Sequence, residues 1–233
     1  RGLYLPEGGM GAVNDGLAAV VERHADFHYG VPVTGLDRRA DGTVTGVRAT
    51  TGTSAAAGKD VQTVPAEAVV CTIDTPVAYR RLLADLPLPL RLRRPSYSPS
   101  AVVWHVGVRG DLPERAAHHN IHFGYEWERS FVELVDRGEL MSDPSRLVTV
   151  STAGEPGLAP PGAHTLYVLE PVPNLTGKVD WARERGPMRE RLLAFLDRHG
   201  YPTDVVTERL VTPVEWLRDG MAAGTPFGLA HRF

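Results

Sequence analysis

The prediction of the fold depends on the stretch Ala66-Glu67-Ala68-Val69-Val70-Cys71-Thr72-Ile73. From Ala68 to Ile73 this stretch is almost continuously apolar. A strand buried on both faces of a parallel sheet has this pattern, whereas a strand with one face in water alternates apolar and polar residues. The stretch therefore predicts a buried parallel strand in an α/β (mixed α+β) fold, with Cys71 as a small buried apolar residue.

The residues before this strand predict one helix and several short strands. Apolar residues recur at helical spacing over 13–21, directly after Gly8-Gly9-Met10-Gly11. Strands are predicted at 26–29, 31–36 and 43–49, and a mobile loop of small polar residues at 50–60. Asp41-Gly42 predicts a hairpin turn, because glycine tolerates the positive φ that such turns need.

The proline-rich stretch LPLPLRLRRPSYSP (86–99) predicts irregular structure, because proline removes a hydrogen-bond donor and fixes φ. It marks a crossing between two domains, residues 1–85 and 86–233, with the chain turning back toward the first domain near 213–233. The second domain is expected to be a mixed sheet with covering helices. Its elements are predicted as strands at 101–108, 120–123, 146–151, 165–171 and 205–211, helices at 131–137 and 180–199, and a helix starting at Pro213.

Composition limits the classes of partner. The net charge of −3 argues against nucleic acid, because nothing here would neutralise a phosphate backbone. No apolar run approaches the roughly 20 residues that span a bilayer. The single cysteine excludes an internal disulfide and favours a reducing cytoplasm.

Two segments have the residue types of a cofactor site. The glycines of Gly8-Gly9-Met10 would let a backbone approach a ligand, at the start of a helix whose N-terminus favours negative charge; the alternative is a flexible turn. Thr72-Ile73-Asp74 follows the predicted strand, at the end where ligands gather in α/β folds. The alternative for Asp74 is that it caps the helix beginning near Pro76.

Histidines and aromatic residues in the second domain form two further groups. His118 and His122 would lie about 13 Å apart on a strand, at roughly 3.3 Å per residue, so they cannot share one ion and no metal site is predicted. Core packing is favoured over the wall of an apolar tunnel for the aromatic set, which comprises Trp104, Tyr125, Trp127, Phe131 and Tyr167.

An ordered series of motifs resembles the phytoene desaturase family. The series consists of Gly8-Gly9-Met10-Gly11, VPVTGL (31–36), DGTVTGV (41–47), AEAVVCTIDTPVAYRRLL (66–83), SPSAVVWHVGVRG (98–110), HHNIHFG (118–124), DPSRLVTVST (143–152), GLAPPGAHTLYVLEPVPNL (157–175) and PFGLAH (226–231). The resemblance implies a flavoprotein that removes hydrogens from a carotenoid precursor such as phytoene and passes a hydride to FAD.

The same resemblance implies roles for the two domains and for individual residues. Residues 1–85 would be part of a Rossmann-like FAD-binding domain, and residues 86–233 the substrate domain. Val33 would contact the adenine part of FAD, Thr72-Ile73-Asp74 would lie near its phosphate and ribose, and Gly8-Gly9-Met10 would lie close to the flavin ring.

Departures from the family pattern predict an internal fragment. The dinucleotide fingerprint G-x-G-x-x-G and the C-terminal glycine-rich segment are missing, Arg1 is not an initiator Met, and Phe233 follows an apolar segment directly. The chain alone is therefore expected to hold little FAD and to be inactive, and the resemblance carries over no catalytic residue.

Two other functions remain open from the sequence: an apolar-ligand or lipid-binding domain without catalysis, and a structural domain without a ligand. A carotenoid substrate also predicts peripheral attachment to a membrane surface. Leu86, Leu88, Leu90 and Leu92, next to three arginines at 91, 93 and 94, are the residues expected to make it. The alternative is that these leucines lie in the core of a domain crossing.

Overall fold

A computed structural model of the chain describes residues 4–51 and 60–230. These residues form two compact units. Unit 1 comprises the residues up to Ile73 together with Ala78–Pro87, and unit 2 comprises Asp74–Val77 and the residues from Leu88 onward. In the described part of the chain, no helix is both long and apolar enough to cross a membrane.

Unit 1 contains helix α1 (Gly9–Val21) and a three-stranded antiparallel sheet. The strands β1 (Val33–Arg38), β2 (Val44–Thr51) and β3 (Asp60–Pro65) pair in the order β1-β2-β3. Helix α2 (Thr75–Arg81) follows, and its residues are divided between the two units.

The predicted hairpin between β1 and β2 is confirmed. Gly42 has φ of 89°, the left-handed region that favours glycine. The backbone N–H of Thr43 donates to Asp41 Oδ1 at 2.9 Å, and this bond holds the pKa of Asp41 below its ordinary value. Of the predicted loop at 50–60, residues 52–59 lie outside the described residues, while Thr50 belongs to β2 and Asp60 to β3.

Two predicted strands of unit 1 are wrong. Residues 26–29 are not a strand, and neither is the apolar run 68–73. Within the described ranges no strand pairs with 68–73, and a strand exists only with a hydrogen-bonding partner. The run is consequently exposed: Val70 is 89% exposed, and Cys71 is also exposed rather than buried.

Unit 2 is built on a five-stranded sheet in the order β5-β6-β7-β4-β8. Every pair in this sheet is antiparallel. The strands are β4 (Ser100–Arg109), β5 (His119–His122), β6 (Arg146–Val150), β7 (Ala163–Val172) and β8 (Asp204–Val211). All five were predicted from the sequence to within two residues at each end.

The helices of unit 2 are short except for one. The set comprises α3 (Leu90–Arg93), α4 (Trp127–Phe131), a π-helix (Val132–Arg137), α5 (Ser151–Gly154), a 3₁₀ turn (Pro156–Leu158), α6 (Trp181–Arg198), α7 (Pro213–Arg218) and a second 3₁₀ turn (Ala222–Gly224). The start of α7 at Pro213 is confirmed; Thr212 and Glu215 close a capping box there. Helix α3 is a single turn inside the stretch that was predicted to be irregular throughout.

The main core lies between one face of the sheet and α6. Alternate residues of β4, among them Val102, Trp104 and Val106, meet Met188 and Leu192 of the helix, and all five are at most 1% exposed. The opposite face has a smaller cluster of Ala101, Val103 and Val211, packed by Tyr167, Leu169 and Trp216. The sheet therefore has one face fully covered by a helix and one face covered only in part.

Candidate functional site

The glycines predicted to approach a cofactor lie at the start of α1. Gly8 (φ 81°) and Gly9 (φ 74°) both have left-handed backbones. A Cβ built on Gly9 would meet no atom within 4 Å, and Met10 is 68% exposed. One backbone donor of this turn is already used, because Gly9 N–H donates to Pro6 O at 3.0 Å. The exposed start of α1 fits the approach of a ligand. The positive φ is by itself a sufficient reason for glycine at positions 8 and 9.

The other predicted cofactor residues of unit 1 are exposed and lie in separate elements. Val33 opens β1, pairs with Ala49 and is 46% exposed. Thr72 and Ile73 lie in the irregular segment before α2, where Ile73 is 47% exposed. Their side chains are accessible to a cofactor, so the residues present fit FAD.

Asp74 belongs to unit 2 and has a structural partner within that unit. Its Oδ2 accepts the backbone N–H of Ala222 at 2.8 Å, and its carbonyl accepts the N–H of Val77 in α2 at 2.9 Å. The carboxylate thus links the start of α2 to the second 3₁₀ turn. This role is established by the contacts, whereas contact with a cofactor stays a prediction.

Unit 2 contains a cavity of about 250 Å³, which we call the aromatic cavity. It lies between α4, the π-helix and the sheet edge, on the sheet face opposite α6. Its apolar lining consists of Phe123, Trp127, Phe131, Leu134, Met141 and Pro171. The rings of Trp127 and Phe131 lie 5.8 Å apart at the mouth, and these two side chains are 59% and 54% exposed.

The shape of this cavity depends on the π-helix that continues α4. Glu133, a buried residue of the π-helix, accepts the N–H of Ser142 at 2.7 Å and the Arg129 Nε–H at 2.9 Å. The Ser142 N–H bond and then Arg129 hold the pKa of Glu133 below its ordinary value. Gly138 ends the turn with φ of 66°. π-helical turns occur often at functional sites, and this one turns Leu134 into the cavity wall.

Several polar groups in the cavity wall are hydrogen-bonded within the protein. Asp143 Oδ2 accepts the N–H groups of Tyr125 and Glu126, and the Glu126 bond, then the Tyr125 bond, lower the pKa of Asp143. The Ser130 hydroxyl donates to Asp143 O at 3.0 Å, and Ser145 Oγ accepts Gly124 N–H at 3.1 Å. What the wall offers to a ligand is therefore aromatic and aliphatic surface.

A second, more polar cavity of about 580 Å³ lies beside the first. The loop around Tyr97, the end of the π-helix and the segment around Asn174 and Lys178 form its walls. Lys178 Nζ is paired with Glu139 at 2.8 Å. Leu134 borders both cavities, so the π-helix separates a polar space from an apolar one.

The histidines of the HHNIH segment contact different neighbours. His118 Nδ1 lies 2.7 Å from His119 Nδ1. His122 instead meets residues that follow α6: its Nε2 is 3.2 Å from the Tyr201 hydroxyl, and its ring centroid is 4.4 Å from that of His199. In the described part of the chain, no three potential ligands group closely enough to hold a metal ion.

The aromatic set predicted from the sequence divides into core and surface. Trp104 is fully buried, as core packing predicted, but Tyr125 is 93% exposed and the mouth residues Trp127 and Phe131 are more than half exposed. Four further cavity residues were not predicted from the sequence: Phe123, Leu134, Met141 and Pro171. The spacing of Trp127 and Phe131, one helical turn apart, was the available signal.

Comparisons with known proteins agree with the resemblance found in the sequence. A family model described as flavin containing amine oxidoreductase matches residues 1–228. The phytoene dehydrogenase of Streptomyces griseus is 45% identical, over 100% of this chain and 44% of its own length. The zeta-carotene-forming phytoene desaturase of Myxococcus xanthus is 33% identical over 100% of this chain and 44% of its own. The chain thus spans less than half the length of these relatives.

One solved structure supports the fold. An oxidoreductase from Methanosarcina mazei superposes with a TM-score of 0.57 at 18% identity, over 87% of this chain and 42% of that one. At this identity the likeness concerns the fold alone.

Proposed function

Because the chain belongs to the flavin containing amine oxidoreductase family, we propose that its parent protein is an FAD-dependent desaturase of a carotenoid precursor such as phytoene. The relatives confirm the resemblance to the phytoene desaturases. The observation that carries the proposal is the 45% identity to a phytoene dehydrogenase along the whole chain. The aromatic cavity supports it, because a hydrocarbon substrate needs apolar walls without unpaired polar groups.

When bound, FAD would supply the hydride acceptor for such a reaction, in which loss of a hydride and of a proton from neighbouring carbons leaves a C=C bond in the substrate. The contribution proposed for unit 2 is to hold the hydrocarbon and to exclude water from it. The contribution proposed for unit 1 is to hold part of FAD.

The residues proposed to contact FAD are those that the resemblance to the family implies. Gly8, Gly9 and Met10 at the open end of α1 are proposed to lie against the flavin. Val33 is proposed to contact the adenine, and Thr72 and Ile73 the phosphate and ribose region. Their exposure supports this assignment. Asp74 is the least favoured member, because its carboxylate already accepts the Ala222 N–H.

Attachment to a membrane surface is proposed through the segment 86–94. Leu86, Leu88 and Leu90 are 38%, 40% and 79% exposed. They lie next to three exposed arginines at 91, 93 and 94. Leu92 is 7% exposed, so the alternative of a core leucine holds at that position. Exposed leucines beside arginines suit an interface between hydrocarbon and phosphate headgroups.

The test uses the complete gene product, supplied with FAD and with phytoene in liposomes. Anaerobic mixing should bleach the flavin absorbance, and the extracted product should absorb at longer wavelength than phytoene because its conjugation is extended. If the protein binds phytoene without reducing flavin, the lipid-binding alternative is supported instead.

A further inference from the structure

The aromatic cavity is the place in unit 2 where shape and chemistry select one kind of ligand. We infer that it binds one end of a linear isoprenoid hydrocarbon. This inference rests on the proposed function for the identity of the substrate, but it locates a binding site that the comparisons do not assign.

The size of the cavity limits what enters it. A volume of about 250 Å³ exceeds the ~150 Å³ in which a protein cavity binds benzene. It falls below the ~300–1,000 Å³ of pockets that enclose whole drug-sized ligands. A long chain therefore inserts an end here and extends out past the rings of Trp127 and Phe131.

The chemistry of the wall favours an apolar ligand. Oδ2 of Asp143 already accepts two backbone N–H groups, and the Ser130 hydroxyl donates to Asp143 O. Against the largely apolar remainder of the wall, a polar ligand would lose hydration and regain few hydrogen bonds, which costs free energy. A hydrocarbon loses only unfavourable contact with water.

The elements around the cavity suit a flexible, slender ligand. Met141 supplies an unbranched, adaptable side chain, and the two mouth rings are tilted by 33° rather than stacked. An isoprenoid end, with its methyl branches, fills such irregular space by dispersion contacts. The exposed aromatic rings at the mouth also provide a surface on which the remainder of the isoprenoid ligand lies.

The first experiment is photolabelling of the complete protein with a diazirine derivative of farnesol. Trypsin cleaves after arginine, so label should appear in the peptides spanning 116–129, 130–137 and 138–146, and excess phytoene should reduce it at least tenfold. Label confined to other peptides, or label that phytoene does not displace, would overturn the inference. Absence of label, as expected if a segment of the protein itself fills the cavity, would overturn it as well.

The second experiment is a matched pair of variants, Phe131→Ser and Phe227→Ser. The two phenylalanines are 54% and 55% exposed, but Phe227 does not line the cavity. Phe131→Ser should raise the KM for phytoene about tenfold, as removal of an apolar contact does, with unchanged flavin content and melting temperature. Equal KM values for the two variants contradict the site.

The outcomes separate this inference from the proposed function. If the wild-type protein neither reduces flavin nor desaturates phytoene, the proposed function fails, while the photolabelling still tests the cavity. If desaturation proceeds and the Phe131 variant matches wild type, the cavity assignment alone fails.

Discussion

Arg146 Nε lies 2.6 Å from Glu170 Oε2 inside unit 2, where the two side chains are only 14% and 3% exposed. The guanidinium also lies over the Phe195 ring, 4.7 Å from its centroid. Burial raises the pKa of Glu170, and the charge of Arg146 opposes that rise. Because the Glu170 side chain is almost fully buried and Arg146 largely so, each charge depends mainly on the other for its compensation.

We predict that Glu170→Gln lowers the free energy of unfolding by about 3–5 kcal/mol, because it leaves the Arg146 charge buried without a counter-charge. Replacing both residues, as Arg146→Met with Glu170→Leu, should cost much less. The control is Asp204→Asn, which breaks the exposed Arg109–Asp204 pair (66% and 62% exposed) and should cost less than about 1 kcal/mol. Equal losses from the two single variants in urea denaturation would contradict the prediction.

A second prediction concerns His122 and the dependence of stability on pH. Burial lowers the pKa of His122, and the neighbouring His199 and Arg146 lower it further. The unfolded chain then takes up this proton at higher pH than the folded chain. The stabilisation is present above the ordinary histidine pKa of about 6.5 and is lost as the pH falls through the lower pKa of the folded state.

The measurement is the melting temperature from pH 7.5 to pH 5 for wild type and His122→Gln, which keeps a polar partner for Tyr201. His105 and His118 also have lowered pKa values because of burial, so wild type and variant should both lose stability in acid. The variant should lose less, and parallel curves would show that His122 contributes nothing.

A third prediction tests the proposed adenine contact. Val33→Asp should strip FAD from the complete protein, because a carboxylate would be left unpaired against the base in a desolvated site. Val33 is 46% exposed, so the substitution should leave folding intact. Val61→Asp is the control: this valine lies in the same sheet and is 58% exposed. The measurement is the ratio of flavin absorbance to protein absorbance in each purified variant. Equal ratios for Val33→Asp and Val61→Asp would show that Val33 does not contact FAD.

A fourth prediction concerns membrane attachment. Leu88→Ser with Leu90→Ser should abolish flotation of the complete protein with liposomes and leave its melting temperature nearly unchanged. Leu92→Ser should lower the melting temperature instead, because Leu92 is buried. Leu217→Ser in α7, where the side chain is 48% exposed, should do neither. Flotation that survives the double substitution would show that another surface binds the lipid.

The strands of unit 2 were predicted from the sequence better than those of unit 1. The reason is whether each predicted strand has a pairing partner among the described residues. Strands β4 and β7 pair with each other and with strands that lie within the chain, so their apolar alternation matches their burial. The run 68–73 has an equally strong pattern but pairs with no described strand. The apolar pattern of a segment indicates its tendency to be buried. A strand also requires a second strand as hydrogen-bonding partner, and the pattern of the segment itself does not show whether one is present.

The candidate site shows a similar limit. The glycines before α1 and the valine that opens β1 can be recognised from the neighbouring sequence alone. Their exposure in the structure agrees with an accessible surface. The aromatic cavity could not be predicted, because its wall combines residues from β7, α4 and the loops on either side. The π-helical turn that directs Leu134 inward has no marker in the sequence.

The position of β4 between β7 and β8 has a consequence during synthesis on the ribosome. Its partners β7 and β8 come later in the chain, and Arg109 of β4 pairs with Asp204, 95 residues further on. At roughly 5–20 residues per second, this interval lasts on the order of 5–20 s. Until β7 has been synthesised, both edges of β4 lack these partners, and until β8 has been synthesised, one edge still does. The valines of β4 are almost fully buried in the folded protein, so the nascent chain is most prone to aggregate before β8 emerges.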